Sequence, residues 1–97
     1  MITVTVKWLV DFDGFKGARG EESVTLQTQA TCRDLLDLLS KSFGSEFTER
    51  IFDSEGKELK EELCFLLNGR NIASLKGMES ELKDGDRLFI VPFLGGG

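Results

Sequence analysis

The spacing of apolar positions changes character along the chain. From residue 2 to 10 it is two: Ile2, Val4, Val6, Trp8 and Val10 fall on one side of an extended backbone, and Thr3, Thr5, Lys7 and Leu9 on the other. Alternation with β-branched residues predicts a strand with one buried face. Asp11–Gly20 holds three glycines and reads as a long hairpin loop. Ser23–Gln27 then alternates again, with Val24 and Leu26 inward, so residues 1–28 read as a β-hairpin.

The period next becomes that of a helix. Cys32, Leu35, Leu36, Leu39 and Phe43 form one apolar stripe, which Leu38 widens. Thr31 is placed to cap the first turn, with Asp34 as the reciprocal cap. Lys41 suits the last turn, and Gly44 suits the position just beyond it. This predicts a helix at about 31–43. Residues 45–61 show no sustained period: Phe47, Ile51 and Phe52 are apolar, Asp53–Gly56 is a turn signal, and residues 55–62 are mostly charged. Leu63–Leu67 is apolar on both faces and reads as a central strand, ended by an Asn68-Gly69 turn. Asn71–Ala73 fits a short edge strand, Asp84-Gly85 another turn, and Arg87–Val91 a last strand stopped by Pro92.

The predicted order is β-β-α-β-(β)-β. One helix packed across a mixed four- or five-stranded sheet is the natural way to bury both apolar faces. The fold class is α+β, and the architecture is the β-grasp, or ubiquitin-like, fold. The division this implies is a β-grasp domain over 1–91 and a flexible C-terminal tail over 92–97.

Composition then narrows the chemistry. The chain has 97 residues, one domain's worth, with 40% hydrophobic and 30% charged residues and a net charge of −5. The negative charge is spread over both halves and argues against nucleic acid or an anionic membrane as partner. There is no histidine, which removes every mechanism that needs an imidazole base. Two cysteines 32 residues apart, Cys32 and Cys64, make neither a zinc site nor a redox pair. They read as buried packing residues with reduced thiols, as in a cytoplasmic protein. No stretch approaches a membrane span. The expectation is a soluble cytoplasmic domain with no catalytic side chain and no metal or bound cofactor.

The most informative segment is the last. Glycine lacks a Cβ, so Leu94-Gly95-Gly96-Gly97 has little bulk. Extended, residues 92–97 reach about 20 Å, at roughly 3.4 Å per residue. Such a thread can enter a narrow channel and present its terminal carboxylate inside another protein.

Four segments in this order carry a resemblance: Leu67-Asn68-Gly69-Arg70, Leu82-Lys83-Asp84-Gly85-Asp86, Phe89-Ile90-Val91-Pro92-Phe93-Leu94, and the closing Gly96-Gly97. Together with the helix sequence Leu35–Gly44 they resemble the sulfur-carrier branch of the β-grasp superfamily. That branch includes the small subunit of molybdopterin synthase, the thiamine sulfur carrier, the ubiquitin-related modifier and the small archaeal modifier proteins. Phe93 stands where the family often has a second proline, and Gly95 where a small residue such as alanine or threonine is usual.

The resemblance implies a carrier cycle. An E1-like enzyme uses ATP to adenylate the Gly97 carboxylate. Sulfur transfer then gives a thiocarboxylate, whose sulfur passes to an acceptor, such as the large subunit of molybdopterin synthase. Alternatively the activated carboxyl forms an isopeptide with a target-protein lysine. A passive interaction domain with an inert tail is the competing reading.

Ordering Phe93–Gly97 in a channel costs about 5–10 kcal/mol, at roughly 1–2 kcal/mol per residue. Tail hydrogen bonds, at about 1 kcal/mol net each, do not offset that alone. A separate docking surface is expected, and inward Leu63, Phe65, Leu67, Leu88 and Ile90 leave Leu66, Phe89, Val91 and Phe93 as an exposed apolar patch. A loop such as 45–62 lying across that face is the alternative.

Overall fold

The computed structural model describes residues 1–8, 21–53, 58–61 and 63–92, without the side chains of Trp8, Glu46 and Pro92. Five strands form one mixed sheet: β1 (Ile2–Trp8), β2 (Glu21–Leu26), β3 (Leu63–Leu67), β4 (Arg70–Asn71) and β5 (Arg87–Pro92). Their order across the sheet is β2-β1-β5-β3-β4. β1 and β5 run parallel, and the other neighbours are antiparallel. The sheet is thus the mixed five-stranded α+β arrangement expected of a β-grasp. The expected Leu9, Val10 and the loop 11–20 lie outside the described residues.

Alternation decides which face is buried. Val4 pairs with Val24 and Ile2 with Leu26, so both strands of the first pair send aliphatic groups to one side. Val4, Val6, Val24, Leu26, Phe65, Leu67, Leu88 and Ile90 all enter the core beneath α1 (Cys32–Phe43). The helix presents Cys32, Leu35, Leu36 and Leu39 to it. Leu38, expected to widen the stripe, remains 38% exposed. At about 100° per residue it lies some 60° beyond Leu35, past the edge of the buried arc.

The start of α1 is a complete capping box. The Asp34 amide donates to Thr31 Oγ1 at 3.3 Å, and the Thr31 amide donates to Asp34 Oδ2 at 2.9 Å. At the other end Gly44 takes φ +87°, a region that disfavours a Cβ, and its amide donates to the Ser40 carbonyl. Gly44 also accepts the first bond of a second helix, α2 (Ser45–Ile51), from the Thr48 amide. Phe47 and Ile51, one turn apart, are fully buried in the core, joined by Phe52. This helix was not legible from periodicity because seven residues give only one repeat.

Two further expectations are corrected. The middle of the sheet is β5, and β3 lies second from the edge. The edge strand is Arg70–Asn71, not Asn71–Ala73: at Ile72 the chain turns into a 3-10 turn, Ile72–Ser74. Asn71 causes the switch. Its Oδ1 accepts from the Ala73 amide at 2.9 Å, and its carbonyl accepts from Ser74 Oγ at 2.8 Å, so local bonds replace the ladder.

Thr31→Ala removes one half of the capping box. It should cost about 1 kcal/mol and lower Tm by roughly 4–8 °C for a domain of this size. A thermal melt followed by circular dichroism checks this, with Asp34→Ala giving a loss of the same order.

Candidate functional site

Two turns that look ordinary in sequence converge on the start of β5, the strand that leads to the tail. Asn68 (φ +52°) and Gly69 (φ +89°) make the tight turn between β3 and β4. The Asn68 side chain then spans outward: its Nδ2 donates to Asp86 Oδ1 at 2.9 Å, and its Oδ1 accepts from the Arg87 amide at 2.9 Å. The Asn68 amide donates to the Arg87 carbonyl at 2.8 Å. Asp86 Oδ2 accepts from the Lys83 amide at 2.7 Å. On the far side, the Thr3 amide donates to Asp84 Oδ1, the Gly85 amide donates to the Thr3 carbonyl, and the Thr5 amide donates to the Asp86 carbonyl, all at 2.8–3.0 Å. The segment Leu82–Asp86 and Asn68-Gly69 therefore act as a clasp that fixes the start of β5 between β1 and β3. Sequence reading identified both turns but not that they meet. The signal was a side chain with both donor and acceptor at Asn68, matched by the Asp86 carboxylate and the Arg87 amide.

β5 carries the chain from this clasp to Pro92, where Leu63 is its register partner on β3. Tail residues Phe93, Leu94, Gly95, Gly96 and Gly97 lie outside the described residues. The rest of the expected docking patch is brought together by register. Leu66 sits opposite Phe89, and Val91 opposite Cys64, on the face away from α1. Leu66, Phe89 and Val91 are half-buried rather than fully exposed, because each shares its face with side chains of neighbouring strands. Lys7 is the register partner of Phe89 on the β1 side, and Thr5 that of Arg87. Of the loop 45–62, the alternative cover for this face, residues 45–52 send Phe47, Ile51 and Phe52 into the core, and 54–57 and 62 lie outside the described residues.

The two thiols differ. Cys32 is completely buried, and burial, reinforced by the Asp86 carboxylate, pushes its thiol up to about 11. It is an inert packing residue, as expected from its place at the head of the apolar stripe. Cys64 is half-buried on the outer face, where its Sγ accepts from Asn71 Nδ2 at 3.3 Å. Among the described residues no three His, Cys, Asp or Glu side chains gather as metal ligands. No helix of the described residues is long and apolar enough to cross a membrane.

This geometry can be set beside known proteins. Residues 8–97 match the ThiS family. A protein of Archaeoglobus fulgidus named "Putative sulfur carrier protein" is 37% identical over 67 residues, covering 69% of this chain and 74% of that one. Among solved structures, small archaeal modifier protein 1 of Methanosarcina acetivorans has a TM-score of 0.75 at 26% identity, covering 100% of this chain and 98% of that chain. A chain of the BexX/CysO complex of Amycolatopsis orientalis gives 0.71 at 25%, covering 97% and 99%. The chain belongs to the ThiS family. It is a β-grasp protein of the sulfur-carrier and ubiquitin-like class, a carrier and not an enzyme.

Alkylation at pH 8 should modify Cys64 and leave Cys32 untouched in the folded protein, as read by peptide mass. The raised Cys32 value also has a sign for stability. The folded state holds its proton where the unfolded thiol has lost it, so Cys32 contributes stability below about pH 9 that is lost as pH rises toward 11. Tm should fall over that interval, and the fall should be shallower in Cys32→Ala.

Proposed function

We propose that this protein carries sulfur on its C-terminus. An E1-like enzyme adenylates the Gly97 carboxylate with ATP, sulfur transfer replaces AMP to give a thiocarboxylate, and the sulfur passes to an acceptor. The observation that carries this reading is the family match through residue 97, which includes the terminal glycines. The similarity to a sulfur carrier protein supports the same direction.

Physical chemistry is consistent with it. A carboxylate is a poor electrophile until adenylation supplies a leaving group, and glycine places no side chain in the path of a nucleophile. The base and the ATP site belong to the activating enzyme, so this chain needs no histidine. Its own task is to deliver the carboxylate. The clasp at Asn68 and Asp86 sets where β5 begins, the strand sets the direction, and Pro92 ends the ladder at a defined residue. Docking falls to the face bearing Leu66, Phe89 and Val91. The acceptor is a sulfur-accepting subunit of the molybdopterin-synthase kind. The similarity to a small archaeal modifier supports a second outlet, in which the activated Gly97 carbonyl is attacked by a target-protein lysine to form an isopeptide.

The test is intact-mass measurement after incubation with ATP, a cognate activating enzyme and a sulfur source. Exchange of one oxygen for sulfur at the C-terminus is expected, read as the corresponding gain in mass. A chain ending at Leu94 should show none. If the truncated chain still supports every activity of the full one, the tail is inert and the passive-domain reading replaces this one. Phe89→Asp should melt within a few degrees of the native protein yet lose at least tenfold in adenylation, about 1.4 kcal/mol of docking or more.

A further inference from the structure

Beside the outer face lies a groove of about 1100 Å³. Its floor includes Leu59, Leu63, Phe65, Ile72 and Met78, and Cys64 is common to it and to the outer face. One wall is an incomplete sheet edge. β3 has five residues, but β4 pairs with only Leu66 and Leu67, because Asn71 diverts the chain into a 3-10 turn. Among the described residues no strand lies beside Leu63–Phe65 on that side. Strand alternation turns the backbone of Leu67, Phe65 and Leu63 toward the β4 side, and the Asn68 amide, bonded to Arg87, confirms the parity. The Leu63 amide is taken by the Lys60 carbonyl. The Leu66–Asn71 pairing occupies the Phe65 carbonyl, which leaves the Leu63 carbonyl and the Phe65 amide turned toward an apolar groove.

We propose that this groove receives an extended segment of the same enzyme that takes the tail, which adds to the open half of β3 as a further strand. An open strand edge beside apolar pockets selects an extended chain, since a helix satisfies its own backbone groups and gains nothing from the edge. Position selects which protein supplies it. The tail leaves β5 at Pro92, and the register partner of Pro92 is Leu63, at the mouth of the groove. A protein that grips the chain where it leaves Pro92 lies beside this end of β3, and Cys64 is common to both surfaces there. The segment presents apolar side chains at alternate positions, toward Leu63, Ile72 and Met78. This inference rests on the carrier reading above.

Ala73 is exposed and lines the groove, so a large side chain there fills the groove without entering the core. The substitution Ala73→Trp should raise KM for adenylation by the activating enzyme about tenfold, with kcat and Tm unchanged, and Ala73→Ser should behave as the native chain. Hydrogen exchange of the native protein in the complex should slow at residues 63–65, and this measurement decides the matter if Ala73→Trp fails to fold. If Ala73→Trp matches Ala73→Ser and exchange at 63–65 is unchanged, while Phe89→Asp still loses adenylation, the groove proposal falls and the carrier reading stands. If the native chain is not adenylated at all, both fall.

Discussion

Everything that gives this protein a direction depends on the pairing of β5 between β1 and β3. β5 is the central strand, and the inward residues Leu88 and Ile90 are almost completely buried. A parallel neighbour cannot be reached by a tight turn, so β1 and β5 need a long connection between them, and α1 within that connection covers the sheet. The pairing is held at its start by a group of side-chain bonds from Asn68, Asp84 and Asp86. Without these, the register of β5 would rest on the ladder alone, and a slip of one residue would turn Leu88 and Ile90 to water.

That constraint links two parts of the molecule that have different chemistry. The clasp is polar and lies at one end of β5; Pro92 lies at the other. Between them, alternate residues serve opposite purposes. The even ones build the core, and the odd ones, Phe89 and Val91, form the outer face with Leu66 and Cys64. A single short strand thus contributes to the core on one face and forms an apolar outer surface on the other. In the proposed carrier cycle the reactive group is the Gly97 carboxylate, and no side chain of this chain is asked to act as a base.

Much of this was legible in the sequence, for identifiable reasons. Alternation at Ile2–Val6 and a helical stripe over Cys32–Phe43 extend across several periods, and the Thr31–Asp34 capping box marks a boundary to the residue. What escaped was short or depended on meeting a distant partner. α2 offers one apolar repeat, Phe47 to Ile51, too little to distinguish from chance. The edge strand was misplaced because propensity does not reveal that Asn71 bonds to its own neighbours. The Asn68–Asp86 bond joins residues 18 apart that no local pattern connects. The outer-face positions Leu66, Phe89 and Val91 followed from parity alone, once the inward set was known.

The parallel pairing of β1 and β5 has a mechanical consequence. The first strand and the last lie side by side and point the same way, so tension applied between residue 2 and residue 92 pulls the strands past one another along their length. The bonds joining Thr5–Trp8 to Arg87–Ile90 are then loaded together in shear, whereas a hairpin pulled from its open end yields one pair at a time. A pull along this axis is therefore met by all of these bonds at once rather than by one pair after another.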